Sequence, residues 1–178
     1  MRIISGTFKG RRFQLPKGLK ARPTTDFAKE GLFNILNNRI EFEGLRVLDL
    51  FSGTGSIGFE FYSRGAGQVT CVEQFPLHVT FIRSVIQQID AKGMSVIRGD
   101  VFNYINDSYG KFDLIFADAP YADERLSSIP DRIFSSTLLA DDGLLIMEHS
   151  KKTDFSQHPC FTDKRNYGSV HFSFFRKK

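Results

Sequence analysis

The sequence predicts an α/β fold: a Rossmann-like, mostly parallel, seven-stranded sheet with helices on both faces and an antiparallel C-terminal hairpin. Three observations predict it. From residue 46 onward, short apolar runs alternate with helix-like segments, which implies right-handed crossovers between parallel strands. The runs are almost continuously apolar, as strands covered on both faces must be. A G-x-G-x-x-G turn, Gly53, Gly55 and Gly58, joins the first run to the helical pattern after it.

Each element has its own reason. Residues 2–15 hold two β-prone pieces around Gly6 and Gly10 and read as a hairpin. Pro16, Gly18 and Pro23 break the chain, and Thr24, Thr25 and Asp26 offer helix N-caps. Ala28, Leu32, Ile35 and Leu36 then recur on one helical face, giving a helix to about Asn38. Strands follow at 46–50, 68–73, 94–98, 112–117 and 144–148. Helices fall between them at 57–64, 76–89, 101–106 and 123–135, the second with proline in its first turn. Asp141-Asp142-Gly143 reads as a turn, and 164–167 with 170–175 as the closing hairpin about Gly168-Ser169.

Bulk properties exclude several classes. A chain of 178 residues, 41% of them hydrophobic, buries roughly 70% of its unfolded surface and supports one real core. With 19 Phe it is no solvated coil. No run reaches the ~20 apolar residues of a membrane helix, and the first residues lack a secretion signal's apolar core. Two cysteines, Cys71 and Cys160, and scattered histidines make neither a disulfide framework nor a metal spacing. A cytoplasmic protein without metal or membrane is expected. Net charge is +4, yet seven basic residues and no acid fall within the first 25 positions. The remainder carries 17 basic and 20 acidic groups. Such an arm, with Arg2, Lys9, Arg11, Arg12 and Arg22, suits a polyanion, because neutralised phosphates release counterions. It suits a merely solubilising surface equally well. The expected organisation is a basic hairpin and helix extension at 1–40 and a catalytic domain at 41–178.

In open parallel sheets ligands bind beyond the carboxyl ends of the strands. Four acids fall there: Asp49, Glu73, Asp100 and Asp118. The glycine spacing alone fits a dinucleotide, and Glu73, 20 positions after Gly53, sits where a ribose-binding acid belongs. A negative wall opposes a pyrophosphate, however, and suits S-adenosylmethionine, whose sulfonium and ammonium are offset by one carboxylate. Glu73 can accept from both ribose hydroxyls and Asp100 from the adenine amine, although Asp100 alone is equally a helix cap. Phe51 lies in the same loop. Asp118-Ala119-Pro120-Tyr121 then sets a carboxylate, a backbone carbonyl, a rigid turn and an aromatic ring in sequence. That set fits a nucleobase amine, with each acceptor taking one N–H and Tyr121 stacking on the flipped base for about 1–3 kcal/mol.

Several segments resemble a known family. VLDLFSGTGSIG at 47–58 resembles the class I methyltransferase motif, and Asp118-Ala119-Pro120-Tyr121 resembles D-P-P-Y. Arg2-Ile3-Ile4-Ser5-Gly6, and Arg22-Pro23-Thr24-Thr25-Asp26 running into Leu32-Phe33-Asn34-Ile35-Leu36, resemble RsmD-type 16S ribosomal RNA guanine-N2 methyltransferases. So do Ser63-Arg64-Gly65-Ala66, Glu148-His149-Ser150 and Tyr167-Gly168. The resemblance implies an S-adenosylmethionine-dependent, class I fold that methylates N2 of one guanine in the 16S rRNA of an assembled small subunit. By that resemblance Asp49, Phe51, Gly53, Gly55, Glu73 and Asp100 bind the cofactor, and Asp118 to Tyr121 hold the base. Ala119 departs from the usual proline pair. It keeps the carbonyl and predicts a looser loop.

Other readings stay open. Pro159-Cys160 resembles the dipeptide of methylases that attack cytosine carbon, but it lies far in sequence from the fourth strand's end, and an inert Cys160 is expected. DNA adenine or protein glutamine methylation, NAD-dependent oxidoreduction, and a non-catalytic RNA-binding assembly factor are the competing functions.

Overall fold

The computed structural model describes residues 1–19, 26–107 and 110–177. Arg22 and the expected caps Thr24 and Thr25 lie outside the described residues. The elements run α1 (Asp26–Leu36), β1 (Arg46–Leu50), α2 (Ser56–Ser63), β2 (Gln68–Glu73), α3 (Pro76–Gln88), β3 (Met94–Arg98), α4 (Val101–Asp107) and β4 (Phe112–Ala117). A 3-10 turn (Glu124–Ser128), α5 (Ile129–Ser135), β5 (Leu139–His149), β6 (Phe161–Tyr167) and β7 (Val170–Phe175) follow. All seven strands form one sheet in the order β3-β2-β1-β4-β5-β7-β6. β1 to β5 are parallel, and β7 pairs antiparallel with both β5 and β6.

Alternation along the strands splits the core into two layers. Val47, Leu114, Phe116, Ile146, Phe172 and Phe174 pack on one face with α1, α2 and α3. Leu48, Leu50, Ile115, Ala117, Leu145 and Met147 pack on the other with α4 and α5. Ile3, Phe13, Ala28, Leu32, Phe33 and Leu36, from the first 40 residues, belong to the first layer. Residues 2 to 12 pair antiparallel through one bridge, Arg2 to Arg12, with Ile3 and Arg11 joined at 3.0 Å.

Three elements depart from expectation: β6 starts at Phe161, ahead of the expected 164, and two others differ further. The helix expected over 123–135 is divided: Asp123 caps a 3-10 turn by accepting from the Arg125 N–H, and α5 starts afresh around Pro130. Proline has no N–H to donate back and its ring crowds the preceding carbonyl, so the helical ladder cannot run through. β5 begins at Leu139, opposite Phe112, before the expected turn; the register then jumps so that Leu144 faces Leu114. Asp141-Asp142-Gly143 is thus an irregularity within a strand. A Cβ at Gly143 would lie 2.7 Å from Leu139 and 2.8 Å from the Ala140 carbonyl, so the tight bend needs glycine.

Candidate active site

β1 ends at Leu50, and the backbone then visits the left-handed region at Phe51 (φ 58°), Gly53 (54°) and Gly55 (72°). For Phe51 that conformation costs about 1–2 kcal/mol. The ring is held by an edge contact with Phe102 at 5.9 Å, so packing offsets the strain. Gly58 lets α2 approach the sheet: a Cβ there would lie 2.9 Å from the Cys71 sulfur and 3.0 Å from Asp49 Oδ2. The bare backbone instead donates its N–H to Asp49 Oδ2 at 3.1 Å.

A cleft of about 430 Å³ opens beyond these strand ends. Asp49, Phe51, Gly53, Glu73, Asp100, Asp118, Ala119, Pro120 and Tyr121 all line it. Gly55 does not line it; its left-handed backbone starts α2, packed against Phe59 and Ile82. Asp49 is 1% exposed, and its pKa is raised to about 7. Burial is the main cause and the Glu73 charge adds to it, against the Gly58 N–H. Glu73 Oε2 accepts from the Gly53 N–H at 2.7 Å and Oε1 from the Phe75 N–H at 2.8 Å. His78 Nδ1 lies 3.7 Å from Glu73 Oε2 and, though buried, has no hydrogen-bond partner among the described residues. Asp100 Oδ1 caps α4, accepting from the N–H groups of Phe102 and Asn103.

The opposite wall is the fourth strand's turn. Asp118 is half-buried, Ala119 fully buried and Pro120 exposed. The Pro120 carbonyl accepts from the Asp123 N–H at 2.8 Å, closing a turn. Ala119 packs into the second core layer. The loop that lacks its first proline is therefore pinned by burial and by this bond. Tyr121 Oη stands 3.4 Å from Glu148 Oε1, and Ser169, from the β6–β7 turn, and Val170, which opens β7, complete the rim.

The basic arm docks against α2. Arg2, Lys9, Arg11 and Arg12 are exposed. Glu60 Oε2 accepts from the Ile4 N–H at 2.8 Å and Oε1 from the Ser5 N–H at 3.0 Å. Lys29, fully buried, donates to the Arg2 carbonyl at 2.6 Å and to Ser56 Oγ at 3.0 Å, 3.8 Å from Glu60. Ser56 lines the cleft, so one ammonium touches both the arm and the cleft wall.

Sequence reasoning missed Lys29, Ser56 and Glu60: Ser56 and Glu60 share one face of α2, but Lys29 reaches them from α1, and no local pattern joins the two helices. It also missed Arg125, a cation among the acids: its guanidinium lies over the Phe102 ring at 3.9 Å, clasps Asp123 and stands 3.9 Å from Asp100. The cleft wall is therefore not uniformly negative. Glu148 was detectable by the strand-end rule already in use, since it is the penultimate residue of β5 as Asp49 is of β1. His149 is buried between Ser150 and Ser173, and burial lowers its pKa; it is a packing residue. Cys160 stands outside the cleft lining.

Acids at the carboxyl ends of β1 and β2, a glycine turn into α2 and a reversed β7 define a class I S-adenosylmethionine-dependent methyltransferase fold. The solved Escherichia coli structure described as "Putative methyltransferase yhhF" superposes with a TM-score of 0.87 at 24% identity, over 100% of this chain and 98% of that one. The family model described as "Conserved hypothetical protein 95" matches residues 1–176. The chain belongs to that family, the RsmD type. A Bacillus subtilis relative named "Putative rRNA methyltransferase YlbH" is 30% identical over a 185-position alignment spanning all of both chains. An Escherichia coli K12 relative named "Ribosomal RNA small subunit methyltransferase D" is 28% identical over 148 positions, 83% of this chain and 74% of that one.

Proposed function

We propose that the chain methylates the exocyclic N2 of one guanine in 16S rRNA, within the small ribosomal subunit or its precursor. One observation carries this reading: Asp118-Ala119-Pro120-Tyr121 opens into the same cleft as Asp49, Glu73 and Asp100. The names of the relatives supply the RNA.

The residues fit the donor. Each Glu73 oxygen holds one backbone N–H and keeps a lone pair for a ribose hydroxyl. Asp100 spends Oδ1 on the helix cap, and Oδ2, 3.9 Å from Arg125, is the oxygen that would accept from the adenine amine. The unsatisfied His78 Nδ1 beside Glu73 favours a polar occupant. Asp49, Phe51 and Gly53 would flank the methionine part, with Gly55 shaping the turn. A dinucleotide fits less well, because the Gly53 N–H, which would face a pyrophosphate, is committed to a carboxylate. S-adenosylmethionine supplies, when bound, an electrophilic methyl on a sulfonium.

The chain's own residues then prepare the acceptor. A guanine amine has its lone pair delocalised into the ring. Asp118 and the Ala119 carbonyl each accept one N–H, which turns the lone pair toward the methyl. Tyr121 stacks on the base, and the Pro120–Asp123 turn holds the acceptors in position, so most of the rate gain is positional. The amine proton becomes acidic only after the methyl has moved and leaves through Asp118. Arg2, Lys9, Arg11 and Arg12 form the RNA-facing part of the 1–40 extension, Arg22 is assigned to RNA binding from the sequence alone, and 41–178 forms the catalytic domain.

The test is incubation with methyl-labelled S-adenosylmethionine and undermodified small subunits, followed by mapping of the labelled nucleotide. N2-methylguanine at a single position is expected. Asp118→Ala should cut kcat by at least about 100-fold while donor affinity holds within about two-fold. An unchanged rate would remove Asp118 from the mechanism.

A further inference from the structure

β4 and β5 are parallel neighbours, and Ala117 pairs with Met147. Asp118 and Glu148 are therefore the next residues on two adjacent strands, both at the cleft. Glu148 is 4% exposed, with Tyr121 Oη 3.4 Å from its Oε1. Glu73, which ends β2, and Asp100, which follows β3, are proposed above to hold the donor and lie across β1 from this carboxylate and the acceptor loop. The Glu148 carboxylate is acceptor-only when ionised.

We infer that Glu148 reads the base, accepting the N1–H of guanine while Asp118 and Ala119 hold its N2 amine. The inference rests on the methylation reading above and assigns its base specificity. On guanine, the N1–H donor adjoins the N2 amine, so two neighbouring acceptors on adjacent strands match two neighbouring donors. Adenine-type bases present a lone pair at N1. Against a carboxylate that pairing is repulsive, which is how sites built for an N–H reject analogues that lack it. Tyr121, touching Glu148, ties the stacking ring to the edge-reading group.

The probe is the small subunit reconstituted with 16S RNA that carries either guanine or 2-aminopurine at the mapped position. 2-Aminopurine keeps the N2 amine and has a lone pair at N1. The parent chain should prefer guanine in kcat/KM by at least about 100-fold. Glu148→Gln, which can turn an N–H toward that lone pair, should lower the guanine value and shrink the preference at least about ten-fold. Glu148→Asp keeps a carboxylate and should stay selective while slower. Donor affinity, measured calorimetrically, should be unchanged in both variants, which separates edge reading from a collapsed fold. Equal preference in the parent and in Glu148→Gln overturns the inference. A parent chain that forms no N2-methylguanine overturns the underlying reaction, and the inference with it.

Discussion

Asp49 sets the cleft's response to pH. Its pKa of about 7 lies well above the carboxylate range, chiefly through burial. A raised acid favours its protonated form in the folded state. Its contribution to stability is fullest below about pH 4 and is lost as the pH climbs through about 7. A cationic donor pulls the other way, because it favours the carboxylate. Donor binding below pH 7 should therefore release a proton, and Kd should tighten as the pH rises from 6 to 8, by at most about ten-fold per unit. Calorimetry in buffers of different ionisation enthalpy reads that proton, and Asp49→Asn should abolish it. That Asp49, Glu73 and Asp118 share one cleft was legible from the sequence, because the carboxyl ends of parallel strands open on one side of the sheet. Arg125 and Lys29 were not, since what each does depends on residues brought from other elements.

At the scale of elements, the arm and α2 meet without room for a side chain. A Cβ on Gly6, at φ 81°, would lie 1.7 Å from the Ser63 carbonyl oxygen, and Thr7 donates to that same oxygen at 2.7 Å. Gly10 has a similar φ of 82°, and a Cβ there would meet no atom of the described residues within 4 Å. Gly10→Ala should thus cost only the backbone penalty, about 1–2 kcal/mol. Gly6→Ala should cost roughly 2 kcal/mol more, because the arm must lift away from Glu60 and Ser63. Urea midpoints of the two variants measure the difference, and equal midpoints would refute the close docking. β1, β2, β3, β4 and β7 coincide with their sequence-predicted bounds, because their apolar runs stop sharply at polar or glycine residues. The split helix was readable, since Pro130 inside a helical run breaks its ladder wherever it stands. The early start of β5 was hidden, because Gly143 acts through crowding by Leu139 and Ala140, which a residue pattern does not reveal.

Over the whole molecule, charge is segregated. Seven basic residues precede the first acid, and the arm that carries most of them rests on the cleft wall through Lys29. If the arm tracks phosphates, replacing Arg11 and Arg12 by alanine should weaken subunit binding and reduce the salt slope by about 1.5–2. Filter binding across salt concentrations checks this, and a slope of zero in the parent would remove the arm from recognition. The layered architecture was legible because the alternation of apolar runs and helices admits few topologies. The arm's integration was not: Ile3 and Phe13 are isolated apolar residues in a basic stretch, and only the assembled first layer explains them.

The Cys71 thiol supplies the molecule with its own clock. It is wholly buried, its sulfur 3.9 Å from Asp49 Oδ2, and burial pushes its pKa well up. An alkylating reagent can reach it only when α2 parts from β2, whereas half-buried Cys160 reacts without such an event. The second, slower labelling phase thus times the breathing of the seam behind the glycine turn. Saturating S-adenosylmethionine should lengthen that phase and leave the first untouched, so mass spectrometry could report donor occupancy without following catalysis.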